Sequence, residues 1–284
     1  MHIVPSTDGV ELVVHDLGGD GPALVLAHAT GLHARCYRQV ASHLVRQFHV
    51  LAPDLRGHGD TNEPLNGDAS WDGSGRDIEH VAASLGSGPI VGFGHSMGAT
   101  ALLMAEHAQP GLFSAIVAYE PVIFPPDPPV SAVEFESRLV AATGRRRDQF
   151  DSPAQAIANF SGKPPFNTVP AAAVEDYVRF GTRLTPTGSV ELKCRPAYEA
   201  ATYIAGSKHQ TWQMLDIISC PVLILSGNVT YPGPGALARG HAQRLATGSF
   251  HHFPALSHFG PLENPAEVTE SVLAFFARLS PARP

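Results

Sequence analysis

Lysine is rare in this sequence, and so are charged residues in general. Lysine occurs only at Lys163, Lys193 and Lys208, 16% of the residues are charged, and the formal net charge is −7. Chains that bind nucleic acid carry basic clusters, and disordered chains contain few apolar residues. Because 44% of this sequence is hydrophobic, we expect a folded domain with a sizeable core and no nucleic-acid partner.

Cysteine is equally scarce. Cys36, Cys194 and Cys220 are the three cysteines of the chain, and long intervals separate them. An odd number at such spacing predicts neither a disulfide framework nor a metal-ligand cluster, so we interpret them as small buried apolar residues. We expect neither a metal nor another cofactor.

Long apolar runs are also missing. No run reaches the roughly 18 apolar residues that a membrane-spanning helix needs. The first residues, MHIVPSTDGVELVVHD, show neither the basic region nor the apolar stretch of a secretory signal. From these two absences we expect a cytoplasmic protein without a membrane span. The sequence leaves open whether it is a monomer or a homodimer.

Short apolar runs alternate with helical patterns along most of the chain. Asp8-Gly9 is a hairpin signal between the first two predicted strands. Six further runs predict buried strands: PALVLAHA (22–29), FHVLAPD (48–54), PIVGFGHS (89–96), SAIVAYE (114–120), PVLILSG (221–227) and SFHHFP (249–254). Helical patterns occupy 35–47, 75–86, 97–109, 236–246 and 265–279. This alternation predicts an α/β fold, with an eight-stranded, mostly parallel sheet and helices on both faces.

The alternation stops between residues 122 and 215. This segment opens with FPPDPPV and contains four helix-like pieces but no clear strand. We therefore predict a core domain formed by residues 1–121 and 216–284, and a helical cap or lid inserted at 122–215.

One pentapeptide points to a reaction. Gly94-His95-Ser96-Met97-Gly98 has the G-x-S-x-G pattern of a nucleophile elbow, between a predicted buried strand and an apolar helix. A serine on such a tight turn needs very small neighbours, and the following helix points its N-terminus at the hydroxyl. Ser96 is thus the predicted nucleophile.

With these residues the chain resembles the α/β-hydrolases over its whole length. HATG (28–31), PDLRGHGD (53–60) and LSHFGPLENP (256–265) resemble the family's loops after the third strand, after the fourth strand and before the last helix. The resemblance implies that His258 is the general base and that the backbone N–H groups of Thr30 and Met97 form the oxyanion hole. Related dehalogenases and epoxide hydrolases carry aspartate at the elbow, so the serine argues against those two activities.

The other residues near these motifs have simpler interpretations. We expect His28 to fix its loop through hydrogen bonds and His95 to point away from the reacting side of the elbow. Ala29 replaces a glycine that relatives carry, which is tolerable if its φ is negative. The predicted substrate pocket has five wall residues: His28, Ala29, Phe124, Trp212 and Phe259.

The position of the triad's acid is unusual. Relatives mostly place an aspartate three residues after the glycine that ends the seventh strand, and here that position is Thr230. No carboxylate occurs between Asp216 and Glu263. Glu120 ends the sixth strand, and some α/β-hydrolases place the acid there, so the resemblance implies Glu120. Pro121 should hold Glu120 extended. Asp216, at the wrong end of the seventh strand, is the weaker candidate.

These residues predict a serine hydrolase that cleaves a carboxylic ester or a lactone, a small molecule, without a cofactor. The same triad would also serve a carbon–carbon bond hydrolase of ring-cleavage diketones or a perhydrolase. The diketone reaction requires a polar anchor for an acidic substrate, for which Arg35 or Arg179 are candidates. A hypothesis of another class is a non-catalytic protein that binds a small molecule with the same fold.

Overall fold

An eight-stranded sheet forms the centre of the molecule. The structure is a computed structural model that describes residues 1–86, 88–128, 130–229 and 233–279, without the side chains of 130–133, 135 and 136. The strands of this sheet are β1 (His2–Pro5), β2 (Glu11–Asp16), β3 (Ala23–Ala27), β4 (His49–Pro53), β5 (Ile90–His95), β6 (Ala115–Tyr119), β10 (Val222–Ser226) and β11 (Gly248–His252). Their order is β1-β2-β4-β3-β5-β6-β10-β11. The predicted eight strands are confirmed.

The sheet is antiparallel at one edge and parallel elsewhere. β1 pairs with β2 and β2 with β4 in antiparallel register, and every other pair is parallel. The turn between β1 and β2 uses Asp8 and Gly9, whose φ angles are 60° and 72°. β5, β6 and β10 are neighbours, so their carboxyl ends lie side by side at one rim.

Helices cover both faces of the sheet. They are α1 (Arg38–Leu44), α2 (Trp71–Ser84), α3 (Met97–Ala108), α9 (Gly235–Arg244), α10 (Gly260–Glu263) and α11 (Pro265–Leu279). Side chains of α1 and α11, such as Val40 and Phe276, belong to one buried cluster. Side chains of α2 and α3, such as Ile78 and Leu102, belong to the cluster on the other face. Among the described residues, no helix is both long enough and apolar enough to cross a bilayer.

The insertion between β6 and β10 contains helices and a small sheet. Its helices are α4 (Val130–Gly144), α5 (Pro153–Ser161), α6 (Ala171–Gly181), α7 (Pro196–Ala205) and α8 (Thr211–Met214). Its strands β7 (Gln149–Phe150), β8 (Thr182–Leu184) and β9 (Val190–Leu192) pair antiparallel. The expectation of an insertion without strands is therefore wrong. Strands of two or three residues are too short to show an alternating pattern in the sequence.

Polar contacts attach the insertion to the core. The indole N–H of Trp71 donates to the Thr202 carbonyl at 2.8 Å, and Arg38 pairs with Asp176 at 2.8 Å. The guanidinium of Arg195 pairs with Glu63. These contacts attach the insertion to α1, to α2 and to the loop that follows β4.

Candidate active site

Ser96 lies on a strained turn between β5 and α3. Its φ is 55° and its ψ is −117°, a combination of backbone angles that residues other than glycine rarely adopt. A Cβ on Gly94 would lie 2.5 Å from Cα of Ala99, and one on Gly98 would lie 2.3 Å from the Ala27 carbonyl oxygen. The first and last residues of the pattern therefore have to be glycine. The absence of a side chain at Gly98 also allows α3 to pack against the end of β3.

Glu120 and His258 are in direct contact. Oε2 of Glu120 lies 2.6 Å from Nδ1 of His258, and Oε1 accepts a hydrogen bond from the Gly227 N–H at 2.8 Å. A carboxylate can only accept, so Nδ1 carries the hydrogen and Nε2 is left as the basic nitrogen. The Glu120 side chain is nearly fully buried, which keeps water from competing for these bonds.

The backbone of Glu120 differs from the expectation. Its φ is 42°, so the prediction that Pro121 holds Glu120 extended is wrong. The Glu120 N–H donates to the Leu225 carbonyl at 2.9 Å, and the carboxylate is bonded through both oxygens. These tertiary bonds outweigh the local preference of a residue before proline. The usual acid position, Thr230, lies outside the described residues.

The loop that carries His258 is held from two sides. The Tyr119 hydroxyl donates to the Ser257 carbonyl at 2.7 Å, and Glu263 accepts from the Ser257 N–H at 2.7 Å and from its hydroxyl at 2.6 Å. Burial raises the pKa of Tyr119, so it stays a donor. Sequence reasoning missed both residues. Of the two, Glu263 could have been found from the sequence, because it is the first carboxylate after His258.

His258 lies beside the elbow but does not bond to the nucleophile. In the described chain no hydrogen bond joins Oγ of Ser96 to Nε2 of His258. Such bonds are often long without a substrate and tighten when one binds. The ring centroid of His95 is 4.8 Å from that of His258, so the expectation that His95 points away is wrong. Its Nδ1 lies 2.6 Å from the Tyr37 hydroxyl, and burial keeps its pKa well below the usual value.

The loop after β3, where one oxyanion donor is expected, is held by the hydrogen bonds of His28. Nε2 of His28 accepts from the Leu55 N–H at 2.9 Å, so its Nδ1 donates to the Ala29 carbonyl at 2.8 Å. Burial lowers the pKa of His28 to about 3, so it stays neutral and fixes the loop. Ala29 has no positive φ. Among the described residues the Thr30 N–H has no protein acceptor.

The second expected donor is at the start of α3. Met97 is the first residue of that helix, and first-turn N–H groups have no partner within their helix. Gly98 packs against the carbonyls of Ala27 and His28, which brings this helix end next to the Thr30 loop. The N–H groups of Met97 and Thr30 therefore remain the candidates for the two oxyanion donors.

The predicted pocket residues are not all near these groups. Phe259 lies 6.0 Å from the His258 ring and 5.8 Å from Phe166, between centroids. His28 and Ala29 are buried within the loop after β3. Phe124 lines a separate surface depression with His209 and Gln213. Trp212 packs against His241 at 6.0 Å and Arg244 at 5.3 Å. The described contacts join neither Phe124 nor Trp212 to Ser96 or His258.

A buried ion pair of the insertion lies against the Thr30 loop. Arg146 Nη1 donates to Oε1 of Glu199 at 3.1 Å, and a Cβ on Gly31 would lie 2.2 Å from that same oxygen. Sequence reasoning missed this pair. Arg35 and Arg179, the anchors it considered, both lie over the Phe180 ring, at 4.6 and 5.2 Å.

Among the described residues one further group has the composition of a metal site. Ligand atoms of His15, Asp54 and Asp60 lie within 4.8 Å of one another. The Asp54 carboxylate, however, contacts His15 and accepts from the backbone N–H groups of Ala34 and Asp60. Lys193 binds Asp60 at 2.5 Å. These bonds use the lone pairs that a cation would need, so we interpret the group as a structural network.

A parallel sheet with helices on both faces and a serine elbow at the end of β5 defines the α/β-hydrolase class. The model of the alpha/beta hydrolase family matches residues 24–271. The chain therefore belongs to the α/β-hydrolase family.

Individual relatives are distant. Lipase LipV of Mycobacterium tuberculosis is 31% identical over 115 residues, which is 40% of this chain and 43% of the lipase. The chain thus matches less than half the length of such curated relatives. The solved structure of E-2-(acetamidomethylene)succinate hydrolase has a TM-score of 0.82 at 20% identity, covering 97% of this chain and 100% of that one. A malate-bound thermophilic esterase from Thermogutta terrifontis has a TM-score of 0.73 at 21% identity, covering 98% of both chains. At this identity the two structures support the fold alone.

Proposed function

We propose that the protein is a serine hydrolase that cleaves a carboxylic ester or a lactone without a cofactor. The observation that carries this proposal is the bond between Glu120 and His258 at 2.6 Å, beside the elbow that presents Ser96. A carboxylate on Nδ1 keeps Nε2 of the imidazole basic and stabilises the imidazolium that forms when it takes a proton. The lipase among the relatives is consistent with this choice of substrate.

The reaction has two stages. In the first, Nε2 of His258 takes the hydroxyl proton of Ser96 while Oγ attacks the carbonyl carbon. The N–H groups of Thr30 and Met97 stabilise the oxyanion. His258 then gives the proton to the leaving alcohol oxygen, and an acyl-enzyme remains. In the second stage His258 deprotonates a water molecule that attacks the acyl-enzyme. His258 then returns the proton to Oγ of Ser96 as the bond between Oγ and the acyl carbon breaks, and the carboxylic acid is released.

The test compares the wild-type protein with Ser96→Ala. Substrates are p-nitrophenyl esters of increasing acyl length, a panel of lactones and a ring-cleavage diketone. We expect Ser96→Ala to lower kcat on esters or lactones by roughly 10⁴-fold or more. Turnover of the diketone alone would favour the carbon–carbon bond hydrolase. If the wild-type protein is no faster than Ser96→Ala on any of them, the proposal is wrong and the hypothesis of a non-catalytic binding protein is favoured.

A further inference from the structure

The side chain of His95 is fully buried beside the proposed triad. His95 is the last residue of β5 and directly precedes Ser96. Its ring centroid lies 4.8 Å from that of His258, 5.5 Å from that of Tyr119 and 6.2 Å from that of Phe259. The proposed reaction gives this histidine no step. Burying two ring nitrogens is costly where an apolar ring would serve, so the presence of histidine here requires an explanation.

A chain of hydrogen bonds joins His95 to the Thr30 loop. The Ala29 N–H donates to the Tyr37 hydroxyl at 3.1 Å, and this hydroxyl lies 2.6 Å from Nδ1 of His95. Among the described residues the hydroxyl has no other acceptor for its one hydrogen, so it donates to Nδ1. Burial raises the pKa of Tyr37 well above its usual value, so the hydroxyl keeps that hydrogen. Ala29 directly precedes Thr30, whose N–H is a proposed oxyanion donor.

The other ring nitrogen of His95 faces the His258 loop. Because Nδ1 accepts, the hydrogen of the neutral ring is on Nε2. Within the described part of the chain, Nε2 has no partner with full hydrogen-bond geometry. Burial holds the pKa of His95 well below its usual value, the charge of His258 adds to this, and a weak hydrogen bond to the His258 backbone opposes it. Since Nδ1 is occupied by Tyr37, the His258 carbonyl is the acceptor that the Nε2–H group approaches.

The neighbouring strand holds the same loop. β5 and β6 pair His95 with Tyr119, and the Tyr119 hydroxyl donates to the Ser257 carbonyl at 2.7 Å. Two successive residues of the loop, Ser257 and His258, therefore face side chains from two paired strand ends. Of these two side chains, only that of His95 is also linked to the loop after β3 by a described hydrogen-bond chain.

We propose that His95 and Tyr37 are positioning residues that hold His258 at a fixed distance from the oxyanion donor of Thr30. This inference rests on the proposed ester or lactone hydrolysis. Both side chains are fully buried, so they act through the two loops and not on the substrate. The Thr30 N–H and the imidazole of His258 have to reach one reacting group at the same time. The separation of their loops therefore affects the rate directly.

The leaving group of the substrate distinguishes an effect on His258 from an effect on the oxyanion. An ethyl ester needs a proton from His258 for its alkoxide, whereas p-nitrophenolate is a weak base and hardly needs one. Both esters need the oxyanion donors. The alkyl-to-aryl ratio of kcat/KM, for the ethyl and p-nitrophenyl esters of one acid, therefore reports the position of His258. For a protein that prefers lactones, δ-valerolactone and dihydrocoumarin provide the same ratio, with an alcohol and a phenol as leaving groups.

His95→Phe tests the link to His258. This variant keeps an aromatic ring but removes both nitrogens. We expect the alkyl-to-aryl ratio to fall by ~10-fold or more, because a shift of His258 by a fraction of an ångström already impairs proton transfer to the leaving oxygen. His241→Phe is the matched control, because His241 is a buried histidine bonded to the Ile123 carbonyl at 2.7 Å, and it should keep the wild-type ratio. An unchanged ratio in folded His95→Phe overturns the proposal.

Tyr37→Phe covers the case in which His95→Phe does not fold, because it removes a single oxygen atom. It leaves the Ala29 N–H and Nδ1 of His95 without their partner. We expect kcat/KM to fall by ~10-fold on the aryl ester and the alkyl-to-aryl ratio to fall by about 3-fold. Wild-type values of both quantities overturn the proposal.

The double variant tests whether the two residues act as one chain. Once either residue is replaced the chain is broken, so kcat/KM of His95→Phe combined with Tyr37→Phe should be no lower than that of the worse single variant. Losses that multiply would mean that the residues act independently, and would overturn the proposal.

The positioning role and the proposed function fail in different ways. If the wild-type protein cleaves esters or lactones by means of Ser96, but the alkyl-to-aryl ratio is the same in His95→Phe and Tyr37→Phe, the positioning role alone is wrong. If Ser96→Ala is as fast as the wild-type protein on all of these substrates, the proposed function is wrong, and the positioning role fails with it.

Discussion

Oε2 of Glu120 lies 2.6 Å from Nδ1 of His258, although 138 residues separate the two in the chain. The carboxylate sits at the end of β6, one strand away from the usual position after β10. Neighbouring parallel strands end at the same rim, so a glutamate at β6 reaches the same imidazole nitrogen as an aspartate after β10. In the proposed mechanism Glu120 therefore takes the place of a carboxylate after Gly227.

Glu120→Gln tests this assignment directly. An amide cannot stabilise the imidazolium, so we expect kcat on a hydrolysed ester to fall by ~10⁴-fold. Asp216→Asn is the matched control, because Asp216 pairs with Arg244 at 3.0 Å at the protein surface, and its kcat should stay near the wild-type value. Steady-state kinetics of both variants give the answer, and a larger loss in Asp216→Asn would reassign the acid.

Gly227 controls the position of the His258 loop. A Cβ there would lie 2.4 Å from the Ser257 carbonyl oxygen and 2.6 Å from that of Leu256, both backbone atoms, so Gly227→Ala must displace the loop. We expect kcat to fall by ~10²-fold, the usual effect of a misplacement of about 1 Å. Gly240→Ala, where a Cβ meets nothing within 4 Å, is the control. Equal kcat values for the two variants would contradict this role of Gly227.

The backbone strain at Ser96 should be measurable as a difference in the free energy of unfolding between two variants. Both Ser96→Ala and Ser96→Gly remove the hydroxyl and should be inactive, but only glycine accepts a φ of 55° with a ψ of −117° without strain. We expect Ser96→Gly to have a free energy of unfolding about 1 kcal/mol above that of Ser96→Ala. Urea unfolding of the two variants measures this difference. Equal midpoints would mean that the turn stores no strain.

Stability should fall when the protein is acidified. Burial lowers the pKa of His28 to about 3 and those of His58, His209 and His241 to about 4. Unfolded histidines titrate near 6.5. Between pH 6.5 and about 4 the unfolded chain therefore binds more protons than the folded one, and stability decreases as the pH falls. Each histidine contributes up to about 1.4 kcal/mol per pH unit.

Urea unfolding at pH 7.0 and pH 5.5 measures this decrease. In His241→Gln one of the four histidines is gone, so the decrease between the two pH values should be smaller than in the wild-type protein. The pKa of Asp54 is lowered by the hydrogen bond and charge of His15, against the effect of burial. The contribution of Asp54 to the free energy of unfolding is the same at pH 7.0 and pH 5.5, because that contribution is lost only below the ordinary aspartate pKa. A free energy of unfolding that does not change between pH 7.0 and 5.5 would contradict the prediction.

The fold and the site differ in how much of them was predictable. The eight strands and the elbow depend on patterns within short segments, and the structure contains both. His258 and Glu120 were implied by resemblance to the family, and their roles stay predictions until variants are assayed. The positive φ of Glu120, the closeness of His95 to His258 and the three short strands of the insertion were not predictable. Each depends on packing that outweighs local preference.

The sequence by itself determined the chemistry that is possible here. A serine between two glycines, a histidine before the last helix and a glutamate at the end of a buried strand are local features, readable because strand and helix patterns are local. Only the tertiary structure decided which side chains surround them. Arg146 and Glu199 come to the Thr30 loop from an insertion more than 100 residues further along the chain. Contacts between such distant segments arise from the packing of whole elements, for which a single sequence contains no local signal.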